Sequence, residues 1–148
     1  MRIADCQDVF PCDGSLRDIY VDGTTEQDWE AFLSFLRAGE YALSYSRDGE
    51  AVPVPSSASE ALRDSSHAHL LEIDVSGVAV NCHFFTADDI ELDLAPKDVA
   101  TQEALDGLLA FMRGTGDHLR KDVTLTEENS PERVLLRYSV GEGQWRRS

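Results

Sequence analysis

Residues 68–85 read AHLLEIDVSGVAVNCHFF, and they contain two alternating segments on either side of Ser76-Gly77. Strict alternation of apolar and polar residues predicts half-buried strands, and a Ser-Gly pair between two such segments predicts a tight hairpin. When Val75 is placed opposite Val78, the hairpin has one apolar face. This register puts a polar set on the opposite face, namely Glu72, Asp74, Asn81 and His83.

Further strands and two amphipathic helices are predicted on both sides of this hairpin. Helix-spaced apolar residues predict one helix over about 26–38, ended by Gly39, and another that follows Pro96 and runs through about 113, stopped by Gly114 and Gly116. One or two helical turns over 58–65 follow an extended connector at 52–57. The alternating segments that predict strands are 16–22, 40–47, 68–75, 78–85, 90–94, 119–126 and 133–140.

The two helical segments resemble each other. Residues 25–37 read TEQDWEAFLSFLR and residues 101–113 read TQEALDGLLAFMR, with four identities and no gap. The match is compatible with a duplicated βαβ unit and equally with two unrelated amphipathic helices of the same period. Either origin predicts an α+β two-layer sandwich, in which both helices pack on one face of a mainly antiparallel sheet. A split βαβ (ferredoxin-like) arrangement is one candidate topology.

Length and terminal sequences suggest a simple organisation. The 148 residues predict one domain over 1–148, with an irregular arm at 1–14 and a flexible tail at 141–148. The first residues lack the apolar run of a secretory signal, and no run of 18 apolar residues is present. Three cysteines do not suggest a disulfide framework. These features predict a cytoplasmic protein.

The charge balance restricts the classes of partner. The chain has 28 Asp and Glu against 13 Lys and Arg, which gives a net charge of −15. Phosphate backbones and anionic lipids repel such a chain, so direct binding to nucleic acid or to a membrane is not expected. A basic protein is the partner that this charge favours.

No motif for metal binding or catalysis is apparent. His67, His69, Cys82 and His83 lie near the hairpin, but alternation sends Cys82 and His83 to opposite faces, so they cannot share one ion without a bulge. The sequence has no nucleophile elbow, phosphate-binding loop or dinucleotide fingerprint. We therefore expect a non-enzymatic protein without metal or cofactor.

The outward faces of the predicted strands are acidic. If these strands share one sheet, their polar sides form a continuous surface, which is either a solvated face or a docking surface for a basic protein. The candidate partner-binding residues are Asp18, Tyr20, Asp22, Glu72, Asp74, His83, Asp88, Asp89, Glu91 and Asp93.

A family resemblance involves residues 14–47. The run Gly14-Ser-Leu-Arg-Asp-Ile-Tyr-Val, then Gly23-Thr-Thr-x-x-Asp28-Trp29 and Phe32-Leu-x-Phe-Leu-Arg37, resembles the opening of small acidic bacterial immunity proteins of polymorphic toxin systems. This resemblance implies a non-catalytic cytoplasmic protein that binds and blocks a cognate toxin domain. It does not imply which residues bind, so the acidic-face residues follow from charge and alternation alone.

Two alternatives remain open from the sequence. One is a small-molecule-binding domain or small enzyme, with a pocket near the 48–67 connector lined by Tyr41, Tyr45, His67 or His69. The other is mimicry of nucleic acid by the carboxylates, directed at a DNA-binding enzyme. The second differs from the immunity hypothesis only in the partner that is blocked.

Overall fold

Nine strands make up one antiparallel sheet in the computed structural model, which describes residues 1–148. The strands are β1 (Arg17–Asp22), β2 (Ala42–Arg47), β3 (Glu50–Ala51), β4 (His69–Val75), β5 (Val78–His83), β6 (Asp89–Leu94), β7 (Val123–Glu127), β8 (Ser130–Ser139) and β9 (Gln144–Arg147). Their order across the sheet is β3-β2-β4-β5-β6-β1-β7-β8-β9. The helices are α1 (Glu26–Ala38), α2 (Ala58–Arg63) and α3 (Gln102–Leu119).

Helices α1 and α3 form the second layer, so the predicted α+β two-layer sandwich is confirmed. The apolar positions that predicted the two helices are all buried in one core with the apolar side of the sheet. These positions are Trp29, Phe32, Leu33, Leu36, Leu105, Leu108, Leu109 and Met112. None of the three helices is both long and apolar enough to cross a membrane.

The central hairpin has the predicted register. Val75 pairs with Val78, and the residues that alternate with them continue the ladder along β4 and β5. Ser76 and Gly77 both have positive φ angles, 52° and 87°, as a two-residue hairpin turn of type I′ requires. The Asp74 carboxylate accepts a hydrogen bond from the Gly77 backbone N–H at 2.9 Å and holds this turn.

Each long helix connects two strands that run in the same direction but are not neighbours. Because every neighbouring pair is antiparallel, β6 and β7 are parallel to each other on either side of β1, so β6-α3-β7 is a split βαβ unit. In β1-α1-β2, three strands separate the parallel pair. The similarity of the two helical segments therefore does not extend to equal strand spacing.

Helix α3 continues beyond the predicted stop. It passes through Gly114 and Gly116 and ends at Leu119, where Arg120 adopts the left-handed conformation with φ of 57°. The two glycines allow close packing inside the helix. A Cβ on Gly114 would lie 2.7 Å from the Phe35 ring, and one on Gly116 would lie 2.8 Å from the Tyr138 ring. The expectation that these glycines end the helix is wrong.

Both terminal segments are more ordered than expected. Residues Gln144–Arg147 pair with β8 as the edge strand β9, so the predicted flexible tail over 141–148 is wrong for these residues. The Trp145 ring packs on the Tyr138 ring at 5.4 Å, and this contact helps to fix β9. The 1–14 arm contains one short 3-10 turn at Ile3–Cys6, and it buries Val9 and Phe10 in the core.

Candidate functional site

The sheet face opposite the helices, which we term the open face, brings the predicted polar residues together. Two cross-strand rows cross β5, β6 and β1, and they are Asn81–Asp93–Asp18 and His83–Glu91–Tyr20. Glu72 and Asp74 flank these rows on β4, and Asp22 lies opposite Asp89 beyond the second row. Asp88 lies in the turn just before β6. The strand order thus brings these polar residues together on one face of the sheet.

The predicted residues differ widely in accessibility. Four of them are exposed to solvent, namely Asp22, Glu72, Asp74 and Asp88. Four are partly buried, namely His83, Asp89, Glu91 and Asp93. Asp18 and Tyr20 are buried, at 5% and 7% exposure.

Tyr20 and Asp18 belong to a buried hydrogen-bond network. The Tyr20 hydroxyl lies 2.9 Å from Glu91 Oε1 and 3.3 Å from Asp18 Oδ2, and Asp18 Oδ2 also accepts from the Asn129 backbone N–H at 2.8 Å. Burial raises the pKa of Tyr20 far above its usual range, and burial also raises the pKa of Asp18. The Tyr20 ring therefore holds the sheet together and offers little area to a partner, contrary to its expected role as an exposed anchor.

His83 and Asp93 form an ion pair between β5 and β6. His83 Nε2 lies 2.6 Å from Asp93 Oδ2, and the Asn81 side-chain amide donates to Asp93 Oδ1 at 3.0 Å. The Asp93 hydrogen bond raises the pKa of His83 above its ordinary value, against the effect of burial. Burial acts to raise the pKa of Asp93, but the hydrogen bonds from His83 and Asn81 outweigh it and lower that pKa.

At the end of the open face near β6, three carboxylates form no ion pair. Asp22, Asp88 and Asp89 lie close together and pair with no Lys, Arg or His, whereas the neighbouring Glu91 lies opposite His83 and accepts a hydrogen bond from Tyr20. Burial, and then repulsion by the other three carboxylates, raises the pKa of Asp89. This end of the open face is therefore electrostatically uncompensated.

One exposed aromatic residue adjoins the same face. Phe85 is 71% exposed, and its ring stacks on the His83 ring with centroids 5.0 Å apart and planes 2° apart. Sequence reasoning missed Phe85 as a site residue. The signal was available, because Phe85 follows His83 by two positions and strand alternation sends both to one side.

Two cavities lie where α2 and the connector approach the sheet. The first, about 340 Å³, is lined by Tyr45, Arg47, Glu60, Asp64 and His69. The Tyr45 hydroxyl is hydrogen-bonded to His69 Nδ1, and His69 Nε2 lies 2.9 Å from Asp64 Oδ2. Because a carboxylate only accepts, Nε2 carries the proton, and Tyr45 donates to Nδ1 when the imidazole is neutral.

The second cavity, which we term the cleft, is larger, at about 730 Å³, and shares Asp64 and His69 with the first. It also contacts His67, His83 and Phe85, so it opens beside the open face. Of the residues expected to line a pocket near the connector, Tyr45 and His69 line the first cavity, whereas His67 and His69 line the cleft. Tyr41 lies elsewhere and packs on Phe35 and Phe111.

The cysteines and histidines occupy the positions that alternation predicts. Cys82 is fully buried on the helix side of the sheet, whereas its neighbour His83 lies on the open face. Cys6 is also buried and Cys12 is exposed, and all three thiols are free. No group of three or more His, Cys, Asp or Glu side chains is arranged to hold a metal ion.

Comparisons with known proteins give no family assignment. A scan against protein-family models found no match, and a search of curated proteins found no significant match.

Proposed function

We propose that this protein is a non-catalytic immunity protein that binds and neutralises a cognate basic toxin domain in the cytoplasm. The observation that carries the proposal is the set of acidic residues that the strand order brings to the open face, with carboxylates at Asp22, Asp88 and Asp89 that form no ion pair. Like charges that face each other across strands destabilise a sheet, and a cationic partner would relieve that repulsion.

The positions of the carboxylates and the net charge also support this proposal. Asp22, Glu72 and Asp89 lie on strands and only Asp88 lies in a turn, so a partner would meet most of these carboxylates already in place, with little loss of conformational entropy. A net charge of −15 would accelerate the encounter with a basic domain and make its rate depend on salt. Phe85 supplies the exposed aromatic ring that protein interfaces often use as an anchor.

The test uses a variant that removes charge without removing hydrogen bonds. Asp22, Glu72, Asp88 and Asp89 accept no side-chain hydrogen bond within the protein, so their replacement by Asn or Gln should leave the fold intact. The matched control replaces four exposed acidic residues by the corresponding Asn or Gln, at positions chosen away from the open face. Both variants therefore lose four negative charges. The control positions are Glu50, Asp98, Glu103 and Glu132.

The experiment first identifies the partner by affinity capture from the source organism at low salt, and then measures binding to the purified domain. We expect the unmodified protein to bind the domain one-to-one and to rescue cells that express it. Association should be at least about tenfold slower for the open-face variant than for the control variant. Normal binding and rescue by the open-face variant would show that the surface is assigned wrongly. Failure to bind or protect against any basic domain would overturn the function itself.

A second candidate function, small-molecule binding, is favoured by the first cavity. Its walls combine a buried imidazole, whose two nitrogens are both engaged, with an exposed Arg47 that has no ion-pair partner. Convergent polar groups of this kind are typical of ligand sites. A thermal-shift screen of metabolites would support this candidate if a hit stabilises the protein and the gain is lost in His69→Gln. An absence of stabilising ligands would count against it.

A further inference from the structure

We infer that the cleft receives an arginine side chain of the basic partner, and this inference rests on the proposed function. The occupant is a guanidinium group on an alkyl stem, as distinct from a lysine ammonium or an apolar side chain. Three features of the cleft lead to this choice: its aromatic surfaces, its charge and its position.

The aromatic surfaces suit a planar cation. Phe85 presents one ring face to His83, and with 71% of the residue exposed the remainder of the ring is open to a ligand. Phe84 packs against Trp29 with ring centroids 5.0 Å apart and planes tilted by 30°, and it lines the same cleft. Guanidinium groups stack on aromatic faces more readily than ammonium groups, because they are planar and weakly hydrated.

The cleft has one carboxylate and three histidines in its walls, and two of these histidines, His67 and His83, are each paired with a carboxylate outside the cleft. Asp64 is the only Asp or Glu in its walls, and no Lys or Arg lines it. The Asp64 carboxylate accepts hydrogen bonds from Ser66 Oγ at 2.7 Å, from the Ser66 backbone N–H at 3.3 Å and from His69, and its side chain remains 26% exposed. A carboxylate has about four acceptor positions, so about one remains for a guanidinium donor. The hydroxyls of Ser46, Ser65 and Ser66 provide further acceptors in the walls.

The position of the cleft explains why its ligand would belong to a protein. His83 contributes to both the open face and the cleft wall, and Glu91 of β6 lies directly opposite it on the neighbouring strand. A basic domain docked on the open face would therefore bring its side chains to the mouth of the cleft. The volume of about 730 Å³ accommodates a long side chain with its hydration.

The experiment titrates the full-length protein with N-acetyl-arginine amide, N-acetyl-lysine amide and N-acetyl-leucine amide, and follows backbone amide shifts by NMR. We expect the arginine probe to shift Asp64, His83 and Phe85, and to bind at least about twofold to fivefold more tightly than the lysine probe. Phe85→Ala should weaken arginine binding by a similar factor, because a cation–π contact is lost. Asp64→Asn should weaken it too, whereas Glu103→Gln, which removes an exposed carboxylate on α3, should have no effect.

Three results would overturn the inference: equal binding of the lysine probe, equal binding of the leucine probe, or arginine binding that Phe85→Ala does not alter. These experiments need no partner, so they are independent of the test of the proposed function. If the protein neutralises a basic domain but its cleft does not prefer the arginine probe, only the inference is overturned. An arginine-selective cleft in a protein that binds no basic domain overturns only the proposed function.

Discussion

The ion pair between His83 and Asp93 connects two neighbouring strands of the open face, and its pH dependence can be predicted. The pKa of His83 is raised, so its contribution to stability is complete below its unfolded pKa and is lost as pH rises through the folded pKa. The pKa of Asp93 is lowered, so its contribution is present above its unfolded pKa and is lost as pH falls through the folded value. The pair therefore contributes most to the free energy of unfolding between about pH 4 and about pH 6.5.

We expect an NMR titration to place the His83 pKa above that of an unperturbed histidine, and Asp93→Asn to lower it because the anionic partner is lost. His118 on α3 is the internal control, because it lies in the helical layer, away from this pair. A His83 pKa that does not change in Asp93→Asn would contradict the ion pair.

Asp89 is predicted to destabilise the protein at neutral pH. It faces Asp22 directly across β6 and β1, and its pKa is raised. A raised carboxyl pKa means that the associated stability is present below the unfolded pKa and is lost as pH rises through the folded pKa. Asp89→Asn should therefore increase the free energy of unfolding at pH 7 by about 0.2–1 kcal/mol, with a smaller gain below about pH 4.

Urea denaturation at the two pH values measures this effect of Asp89→Asn. The control is Asp98→Asn, which removes an exposed carboxylate from the turn before α3. Equal effects of the two substitutions would mean that net charge, and not the facing pair, determines the change.

At the scale of elements, the close approach of α3 to the sheet depends on Gly116. Alanine is favoured over glycine in a helix by about 1 kcal/mol, but a Cβ here would lie 2.8 Å from the Tyr138 ring and 2.9 Å from the Lys121 carbonyl oxygen. Backbone cannot move aside easily, so Gly116→Ala should lower the free energy of unfolding by about 1–3 kcal/mol in urea denaturation. Gly141→Ala is the control, because its Cβ would meet no atom within 4 Å. Stabilisation by Gly116→Ala would contradict this packing.

The same helix illustrates which parts of the fold the sequence could predict. The buried faces of α1 and α3 and the hairpin register follow from local periodicity, which Phe32, Leu108 and Val75 show clearly. Helix ends were harder to predict, because a glycine that makes room for a ring looks like a glycine that stops a helix. The end of α1 was predicted correctly, because the helix ends at Ala38 with Gly39 as its C-cap, but the left-handed residue is Glu40, with φ of 58°, and not Gly39.

The candidate site was predictable in composition but not in accessibility. Alternation placed Asp93, Glu91 and Tyr20 on one side of their strands, and this is where they lie. That Tyr20 is buried depends on neighbours from β6 and on the β7–β8 turn, which local sequence does not specify. The cleft requires α2 and β5 to meet, and it was expected only as a pocket near the connector.

For the whole molecule, self-repulsion should dominate the response of stability to salt. The net charge is −15, and most ion pairs are at exposed positions, where each contributes little. Raising NaCl from about 0.02 M to about 0.5 M shortens the Debye length to a few ångströms, so the Tm of the free protein should rise. Calorimetry measures this change, and the four-acid open-face variant should show a smaller rise. A Tm that falls with NaCl would mean that local ion pairs outweigh the repulsion.

The place of β1 in the sheet has a consequence for how the chain folds as it is synthesised. β1 leaves the ribosome first among the strands, yet it lies between β6 and β7, where Ile19 pairs with Leu92 on one side and with Leu125 on the other. The backbone groups of β1 therefore cannot form their sheet hydrogen bonds until β6 or β7 has been synthesised. The β4-β5-β6 meander can assemble earlier from local contacts. Because closing such long loops precedes the stabilising contacts, insertion of β1 should be the late and slow step of folding.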